Sequence, residues 1–194
     1  LDPVRGKFKC KVYLLHGDMT DEELAGLYRH PKVKAMVSIS HGEGFGLPLF
    51  DAAINELPIA TVGWSGHCDF LYWPVIKKRK NAKGKTKDIV TNIKEPLFTE
   101  IDYSIGTIQQ ESIWQGVLEE GSRWAFASEK DYKNKLRKIY NNYAPCKEKA
   151  VRLAEFVEAN FDPSQQLEKL ANAVWSPSKE EDEWTKQVEQ VEVM

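Results

Sequence analysis

Apolar residues recur along the first third of the chain at spacings that predict strands and helices in alternation. Two short runs, 10–15 and 34–40, are apolar and rich in β-branched residues, as buried strands are. Between them, Thr20 is a predicted helix N-cap, and Glu23, three residues later, is its capping-box partner. The order of predicted elements is therefore strand, helix, strand.

The same order then repeats, and the repeat predicts the fold class. The next predicted elements are a glycine-rich loop at 42–46, a helix from about Leu47 to Glu56, a strand at 57–62 and a short helix around 66–73. Repeated units of strand and helix form parallel sheets with right-handed crossovers and helices on both faces. The sequence therefore predicts an α/β fold with a parallel sheet and flanking helices.

Beyond the short helix the alternation stops. The segment 74–104 predicts an inserted β-hairpin whose two extended arms flank a turn at 81–84, with seven Lys or Arg residues from Lys77 to Lys87. Helical spacing of apolar residues predicts helices over 107–119 and 129–143, followed by two more that Pro145 and Pro163 separate. The tail at 176–194 is polar and acidic, and we expect it to be a terminal helix or disordered.

Two features of this second half have plain structural interpretations. The aromatic set is predicted to lie in the core and consists of Trp114, Trp124, Tyr132 and Tyr140. The basic tip from Lys77 to Lys87 is predicted to be a solvated hairpin, with binding to an anionic acceptor or to nucleic acid as the alternative.

Composition and charge narrow the class of protein. With 194 residues, 42% of them hydrophobic, the chain is predicted to form one domain over 1–175, followed by the tail. The formal net charge of −2 gives no overall field that favours nucleic acid or an anionic membrane as a partner. No run approaches the roughly 18 apolar residues of a membrane span. Three widely spaced cysteines, Cys10, Cys68 and Cys146, argue against a disulfide framework or a zinc site and predict a reducing, cytoplasmic location.

The glycine-rich loop is the strongest candidate for a binding site. It follows the strand at 34–40, and open parallel sheets bind ligands beyond the carboxyl ends of their strands. Its glycines let a ligand approach the backbone closely. The unpaired N–H groups at the start of the next helix favour an anion, by about 0.3–1 kcal/mol at exposed sites. The predicted ligand group is therefore a phosphate.

Two acids, Glu43 and Asp51, flank this loop. A carboxylate repels a phosphate but accepts two hydrogen bonds from a sugar diol, and a nucleotide-sugar carries two such diols. We therefore expect the two carboxylates to lie on either side of a diphosphate. Other motifs fail on spacing: a dinucleotide fingerprint needs glycine at Leu47, a nucleophile elbow needs glycine at His67, and the Lys of a Walker loop is absent.

The run EGFGLPLFDAAINELPIA, residues 43–60, resembles the signature of retaining glycosyltransferases of the large family 4 type, E-G-F-G-L-P-x-x-E-A-x-x-x-G-x-P-V. The resemblance extends over about 10–72 and, more loosely, over about 97–175. It implies the nucleotide-sugar-binding domain of the GT-B fold, with a partial Rossmann-like sheet. It also implies that a hexosyl-type sugar is transferred from a nucleotide-sugar to an unknown acceptor with retention, with no cofactor and no obligatory metal.

The resemblance assigns roles to single residues. Glu43 matches the acid near the transferred sugar and is the expected catalytic residue, and Asp51 matches the acid that holds the ribose. The loop amides expected around the sugar and diphosphate are those of Gly44, Phe45, Gly46 and Leu47. His41 beside the loop, and Ser65 and Gly66 after the next strand, are further candidates for the donor side. The alternatives are a structural role for His41 and capping of the following helix by the residues from Ser65 onward.

The sequence departs from the family pattern at several points. Asp51 replaces the usual Glu, which shortens its reach by one methylene, and Asn55-Glu56 replaces a residue-glycine pair. A GT-B enzyme also has an N-terminal acceptor domain, and an Arg and a Lys that neutralise the leaving diphosphate. Because no such segment precedes Leu1, we expect an N-terminally truncated fragment that is inactive alone. The incomplete sheet is expected to leave an apolar edge that favours self-association.

A second class of function stays open beside the transferase fragment. The alternative is a noncatalytic sugar-nucleotide-binding or interaction module on the same half-fold. A GT-B nucleotide-sugar epimerase has no support, because nothing beyond the fold matches its acid-base residues.

Overall fold

A small parallel sheet positions the glycine-rich loop. The computed structural model of the protein describes residues 10–80 and 86–175. Within them the sheet has the order β1-β2-β5 and consists of β1 (Met36–Val37), β2 (Ile59–Val62) and β5 (Thr99–Ile101). β1 and β2 pair in parallel with Met36 opposite Ile59, and β2 and β5 also pair in parallel. The predicted α/β class is confirmed.

Helices with local start signals surround this sheet. The described residues form α1 (Asp21–Arg29), α2 (Leu47–Ile54), α3 (Cys68–Leu71), α4 (Glu129–Asn141), α5 (Tyr143–Asn160) and α6 (Pro163–Val174). The predicted capping box is present, because the Thr20 hydroxyl accepts from the Glu23 N–H at 3.3 Å and the Glu23 carboxylate accepts from the Thr20 N–H at 2.9 Å. Ser128 and Asp162 cap α4 and α6, and such caps contribute about 1 kcal/mol each. None of the described helices is both long and apolar enough to cross a bilayer.

Helices pack on both faces of the sheet. Side chains of β2 alternate between the faces, as they do in any strand. Ile59 joins a buried cluster that includes Leu49 of α2 and Phe70 of α3. Val62 joins a second cluster with Ile139 of α4. Full burial of such a side chain contributes roughly 1.5–3 kcal/mol, so these two clusters hold the strand ends, and the loops that follow them, in place.

Two antiparallel strand pairs complete the described strands. They are β3 (Tyr72–Lys80) with β4 (Thr86–Pro96), and β6 (Tyr103–Thr107) with β7 (Arg123–Ala127). β3 and β4 are the two arms of the predicted hairpin, but the hairpin ends at Pro96, because the rest of the predicted segment 74–104 includes β5 of the parallel sheet. The predicted turn at 81–84 and the predicted tail at 176–194 lie outside the described residues. The solvated state predicted for the basic run from Lys77 to Lys87 stays a prediction, as does its alternative, binding to an anionic acceptor or to nucleic acid.

The strand predicted at 10–15 is wrong. The described chain forms no strand there, and its apolar side chains are between 59% and 82% exposed, namely Val12, Tyr13, Leu14 and Leu15. Apolar and β-branched residues favour a strand only where a neighbouring strand pairs with them. Within the described residues β1 pairs only with β2, and no strand pairs with residues 10–15. The strand predicted at 34–40 is confirmed only over Met36–Val37.

The helix predicted over 107–119 is also wrong. Its first residue ends β6, and a single 3-10 turn follows at Gln110–Ser112. Trp114 then forms an isolated bridge with Leu118. Gly116, between them, has φ of +84°, a left-handed conformation that a right-handed helix cannot contain. The spacing of apolar residues gives no sign of this backbone reversal.

The predicted aromatic core is correct only in part. Trp114 and Tyr140 are 67% and 88% exposed, so both predictions are wrong. Tyr132 packs against the cluster that contains Ile139, and Trp124 is half-buried beside the glycine-rich loop. Tyr140 follows Ile139 directly and therefore projects about 100° away from the buried face of α4.

Candidate functional site

Two loops meet at the carboxyl-terminal end of the parallel sheet. The glycine loop (42–46) follows β1, and the second loop (63–67) follows β2. The Ser65 hydroxyl donates to the Glu43 carbonyl at 2.7 Å and accepts from the Glu43 N–H at 3.1 Å. The Gly66 N–H donates to the same carbonyl at 3.0 Å. Three hydrogen bonds thus fix the backbone of the residue that is predicted to be catalytic.

The close approach of the two loops requires bare backbone at two positions. A Cβ on Gly66 would lie 1.7 Å from the Gly44 carbonyl oxygen. Gly46 has φ of +87°, and a Cβ there would lie 3.0 Å from the Cβ of His67. Gly44 differs, because it is exposed and an added Cβ would meet nothing within 4 Å. Gly44 is therefore not required by packing and leaves open space above the loop.

The glycine loop and the first residue of α2 contain a row of free donors. Within the residues that the structure describes, no acceptor pairs with the backbone N–H groups of Gly44, Phe45, Gly46 and Leu47. The Phe45 ring anchors this row, since it packs 5.3 Å from the rings of both Phe50 and Phe70. Free N–H groups at the positive end of a helix dipole form a cradle for an anion.

Both predicted acids have uncommitted carboxylates. Across 10–80 and 86–175, neither the Glu43 nor the Asp51 side chain forms a hydrogen bond or an ion pair. Asp51 faces α1, where burial raises its pKa and the charge of Asp21 raises it further. Burial also raises the pKa of Tyr28, and Asp51 adds to that rise. The raised pKa means that the ionised form of Asp51 destabilises the fold, so packing does not explain why this position carries an acid.

His41 is held against the β6–β7 pair. Its Nδ1–H donates to the Ala125 carbonyl at 2.7 Å, and its own carbonyl accepts from the Ala125 N–H at 3.2 Å. The ring stacks on Trp124, with centroids 4.4 Å apart and planes 2° apart. A proton on Nδ1 leaves Nε2 as the acceptor of the neutral ring. These contacts support the structural role, and Nε2 has no partner among the described residues.

His67 lies beneath the glycine loop. It is fully buried, and its Nε2–H donates to the Val62 carbonyl at 2.7 Å. Its Nδ1 has no partner within the described part of the chain. The first N–H group of α3 is paired with a backbone carbonyl, because the Cys68 N–H donates to the Ser65 carbonyl at 3.1 Å. The Ser65 side chain is therefore used to hold Glu43 and does not cap α3.

Two tryptophans at the site were missed by sequence reasoning. Trp64 packs against the glycine loop, where a Cβ on Gly42 would lie 2.8 Å from its ring. The sequence could have indicated Trp64 through its position in the loop after β2, which also carries Ser65. Trp124 had no local signal, because it is distant from His41 in the sequence and only the fold brings the two rings together.

The described residues show neither a cluster of metal-ligating side chains nor a disulfide. Among the described residues, no group of three or more His, Cys, Asp or Glu side chains comes together to hold a metal ion. The three cysteines are free thiols, and burial raises the pKa of the Cys68 thiol. The expected independence from metal stays a prediction, which turnover or binding in the presence of a chelator would test.

Comparisons of the chain with models of protein families, with curated proteins and with solved structures gave no significant match. The function is therefore inferred from the glycine loop, its two uncommitted acids and their position at the end of the sheet.

Proposed function

We propose that the glycine loop binds the diphosphate of a nucleotide-sugar and that the chain is the donor-binding domain of a retaining glycosyltransferase with the GT-B fold. One observation carries the proposal: four free N–H groups, in the glycine loop and at the first residue of α2, lie in the sequence between two acids with uncommitted carboxylates, Glu43 and Asp51. The N–H groups suit phosphate oxygens, and the carboxylates suit the hydroxyl donors of a sugar and a ribose. Any connection between a strand and a helix leaves free N–H groups, but it does not need two uncommitted acids around them.

Each group has a distinct part in the proposed complex. Glu43, held by Ser65 and Gly66, accepts hydrogen bonds from the transferred sugar and lies nearest the reacting carbon. Asp51, farther along α2, accepts the ribose hydroxyls. The free N–H groups stabilise the negative charge that grows on the diphosphate as it departs. Stabilisation of this kind is usually the largest contribution to catalysis.

Titration calorimetry with UDP-, GDP- and ADP-sugars tests this proposal. We expect the purified chain to bind one of the three and Gly44→Ala to bind it at least about tenfold more weakly, because the added methyl occupies the space that the diphosphate needs. The substitution leaves the fold intact, since the new Cβ meets no protein atom within 4 Å.

Gly26→Ala is the matched control. It adds the same methyl on α1, also into open space, and should bind as the wild type does. Failure to bind any of the three nucleotide-sugars, or equal binding by Gly44→Ala and the wild type, would count against the proposal.

A noncatalytic sugar-nucleotide-binding module is the second candidate, and one observation favours it. Residues 41–47 and 63–67 contain no Lys or Arg, although a departing diphosphate is stabilised best by cations. Both candidates bind nucleotide-sugars, but only a transferase releases the nucleoside diphosphate. We expect this chain to bind without measurable release, and release by the purified chain would favour the transferase.

A further inference from the structure

A cavity lies at the opposite end of the sheet from the glycine loop. Its wall includes the end of α1 and the residues before β1, the turn between α2 and β2, and the start of α5. The strands are parallel, so these connections meet at the amino-terminal end of the sheet. The cavity has a volume of about 480 Å³, which lies within the range of small-molecule sites.

Cations dominate the charge of this cavity. Its lining contains Arg29, Lys34 and Lys147 but only one acid, Glu56. Lys147 is already committed, because it donates to the Glu56 carboxylate at 2.9 Å and to the Glu56 carbonyl at 2.8 Å. This excess of positive charge is local, since the formal net charge of the chain is −2.

The other two cations have no anionic partner. Neither Arg29 nor Lys34 forms an ion pair within the described residues. The Lys34 ammonium lies 5.4 Å from the centroid of the Tyr143 ring, which also lines the cavity. A cation over an aromatic face is held by a weak attraction and remains available to a stronger anionic partner. The cavity thus presents two cations whose charge nothing described neutralises.

We propose that this cavity binds a small dianionic phosphate ester. The guanidinium fork of Arg29 matches two phosphate oxygens, and the compact ammonium of Lys34 supplies the second positive charge. The rings of Tyr28 and Tyr143 form the wall beside the two cations and accept the uncharged part of the ester. The site is separate from the glycine loop, because Arg29 and Lys34 precede β1 while the glycine loop follows β1.

Titration calorimetry at low ionic strength with glycerol 3-phosphate tests the proposal on the whole chain. We expect binding that weakens as salt is added and that Arg29→Gln/Lys34→Gln reduces at least about tenfold. The double variant keeps both side-chain lengths similar and alters no described hydrogen bond or ion pair, so the fold should survive. The matched control is Lys130→Gln/Lys138→Gln, which removes the same charge from exposed positions on α4 and should bind as the wild type does.

Three results would overturn the proposal. The first is no binding of glycerol 3-phosphate, and the second is equal binding by the wild type and Arg29→Gln/Lys34→Gln. The third is loss of binding in Gly44→Ala, which would place the phosphate ester in the glycine loop. Glycerol 3-phosphate binding that Gly44→Ala retains supports the cavity lined by Arg29 and Lys34, whether or not a nucleotide-sugar binds at the loop.

Discussion

Ser65 holds the backbone of Glu43 in place and does so from a strained conformation. It has φ of +86°, a left-handed conformation that costs a non-glycine residue roughly 1–2 kcal/mol. In that conformation its hydroxyl bonds to both the N–H and the carbonyl of Glu43. Backbone strain concentrates at functional sites, where it positions other groups. The strain at Ser65 is therefore consistent with positioning of Glu43.

Ser65→Ala should destabilise the fold and weaken nucleotide-sugar binding. It removes two hydrogen bonds, at a cost of about 1–2 kcal/mol in the free energy of unfolding, which urea titration measures. Ser65→Gly loses the same bonds but relieves the left-handed strain, so stability should recover by about 1 kcal/mol while binding stays weak. Ser104→Ala, at an exposed position on β6, should change neither property. Wild-type binding by Ser65→Ala would show that Ser65 does not position Glu43.

Asp51→Asn should separate stability from binding. Burial and the charge of Asp21 raise the pKa of Asp51, so between its unfolded and folded pKa values the folded protein holds more protons than the unfolded chain. Stability therefore falls as pH rises through the interval between the unfolded and folded pKa values. Asp51→Asn should be more stable than the wild type near pH 7, and this gain should shrink as the pH is lowered.

Urea unfolding at several pH values measures this difference, with Asp18→Asn, at an exposed position, as the control. Asp51→Asn should also bind nucleotide-sugars about 10–100-fold more weakly, because a hydrogen bond to a charged acceptor contributes about 1.5–3 kcal/mol. A variant that is less stable than the wild type at neutral pH, or that binds equally well, would contradict the role given to Asp51.

The turn between α2 and β2 contains a strained residue. Glu56 adopts φ of +53°, a conformation for which glycine is better suited. Lys147 of α5 bonds to both its carbonyl and its carboxylate. The strained residue Glu56 thus forms an ion pair with a residue of another helix.

At position 56, the glycine variant should be more stable than the alanine variant, which is the reverse of their usual order within a helix. Glu56→Ala keeps the left-handed strain and loses the ion pair, so it should lower the free energy of unfolding by about 0.5–1 kcal/mol. Glu56→Gly loses the same pair but relieves the strain, and it should be about 1 kcal/mol more stable than Glu56→Ala. Thermal unfolding of the two variants measures the difference. A more stable alanine variant would show that the turn is not strained.

Elements with local signals could be predicted from the sequence, and elements that depend on distant partners could not. The capping box at Thr20 and the start of α2 after Gly46 follow from neighbouring residues. The apolar run 10–15 looked like a strand, but no described strand pairs with it. The left-handed backbone at Gly116 likewise ended a helix that the spacing of apolar residues had predicted.

The candidate site also combines features that the sequence predicts with features that depend on distant partners. The free N–H groups and the two acids belong to one continuous run of sequence, so they could be named without a structure. The contact of Ser65 with Glu43 and the stack of Trp124 on His41 join separate segments, and only the packing of the second loop and of β7 reveals them.

For the whole molecule, we predict self-association through the exposed apolar residues near the start of the described chain. β1 is an edge strand among the described residues, and Tyr13 and Leu14 are 82% and 74% exposed. Sedimentation at micromolar concentration should show dimers or larger species, and Leu14→Lys should shift them toward monomer. Val174→Lys, which places the same charge at an exposed apolar position on α6, is the control. A monomeric wild type would refute this prediction.

The central claim is that a nucleotide-sugar binds at the glycine loop. Nuclear magnetic resonance of the chain with 15N-labelled glycine tests it most directly, because the backbone N–H groups proposed to bind the diphosphate include those of Gly44 and Gly46. During titration with the nucleotide-sugar that binds, these two amide signals should shift most, while those of Gly116 and Gly121 should stay in place. Unchanged signals from Gly44 and Gly46 at saturating ligand would contradict the claim.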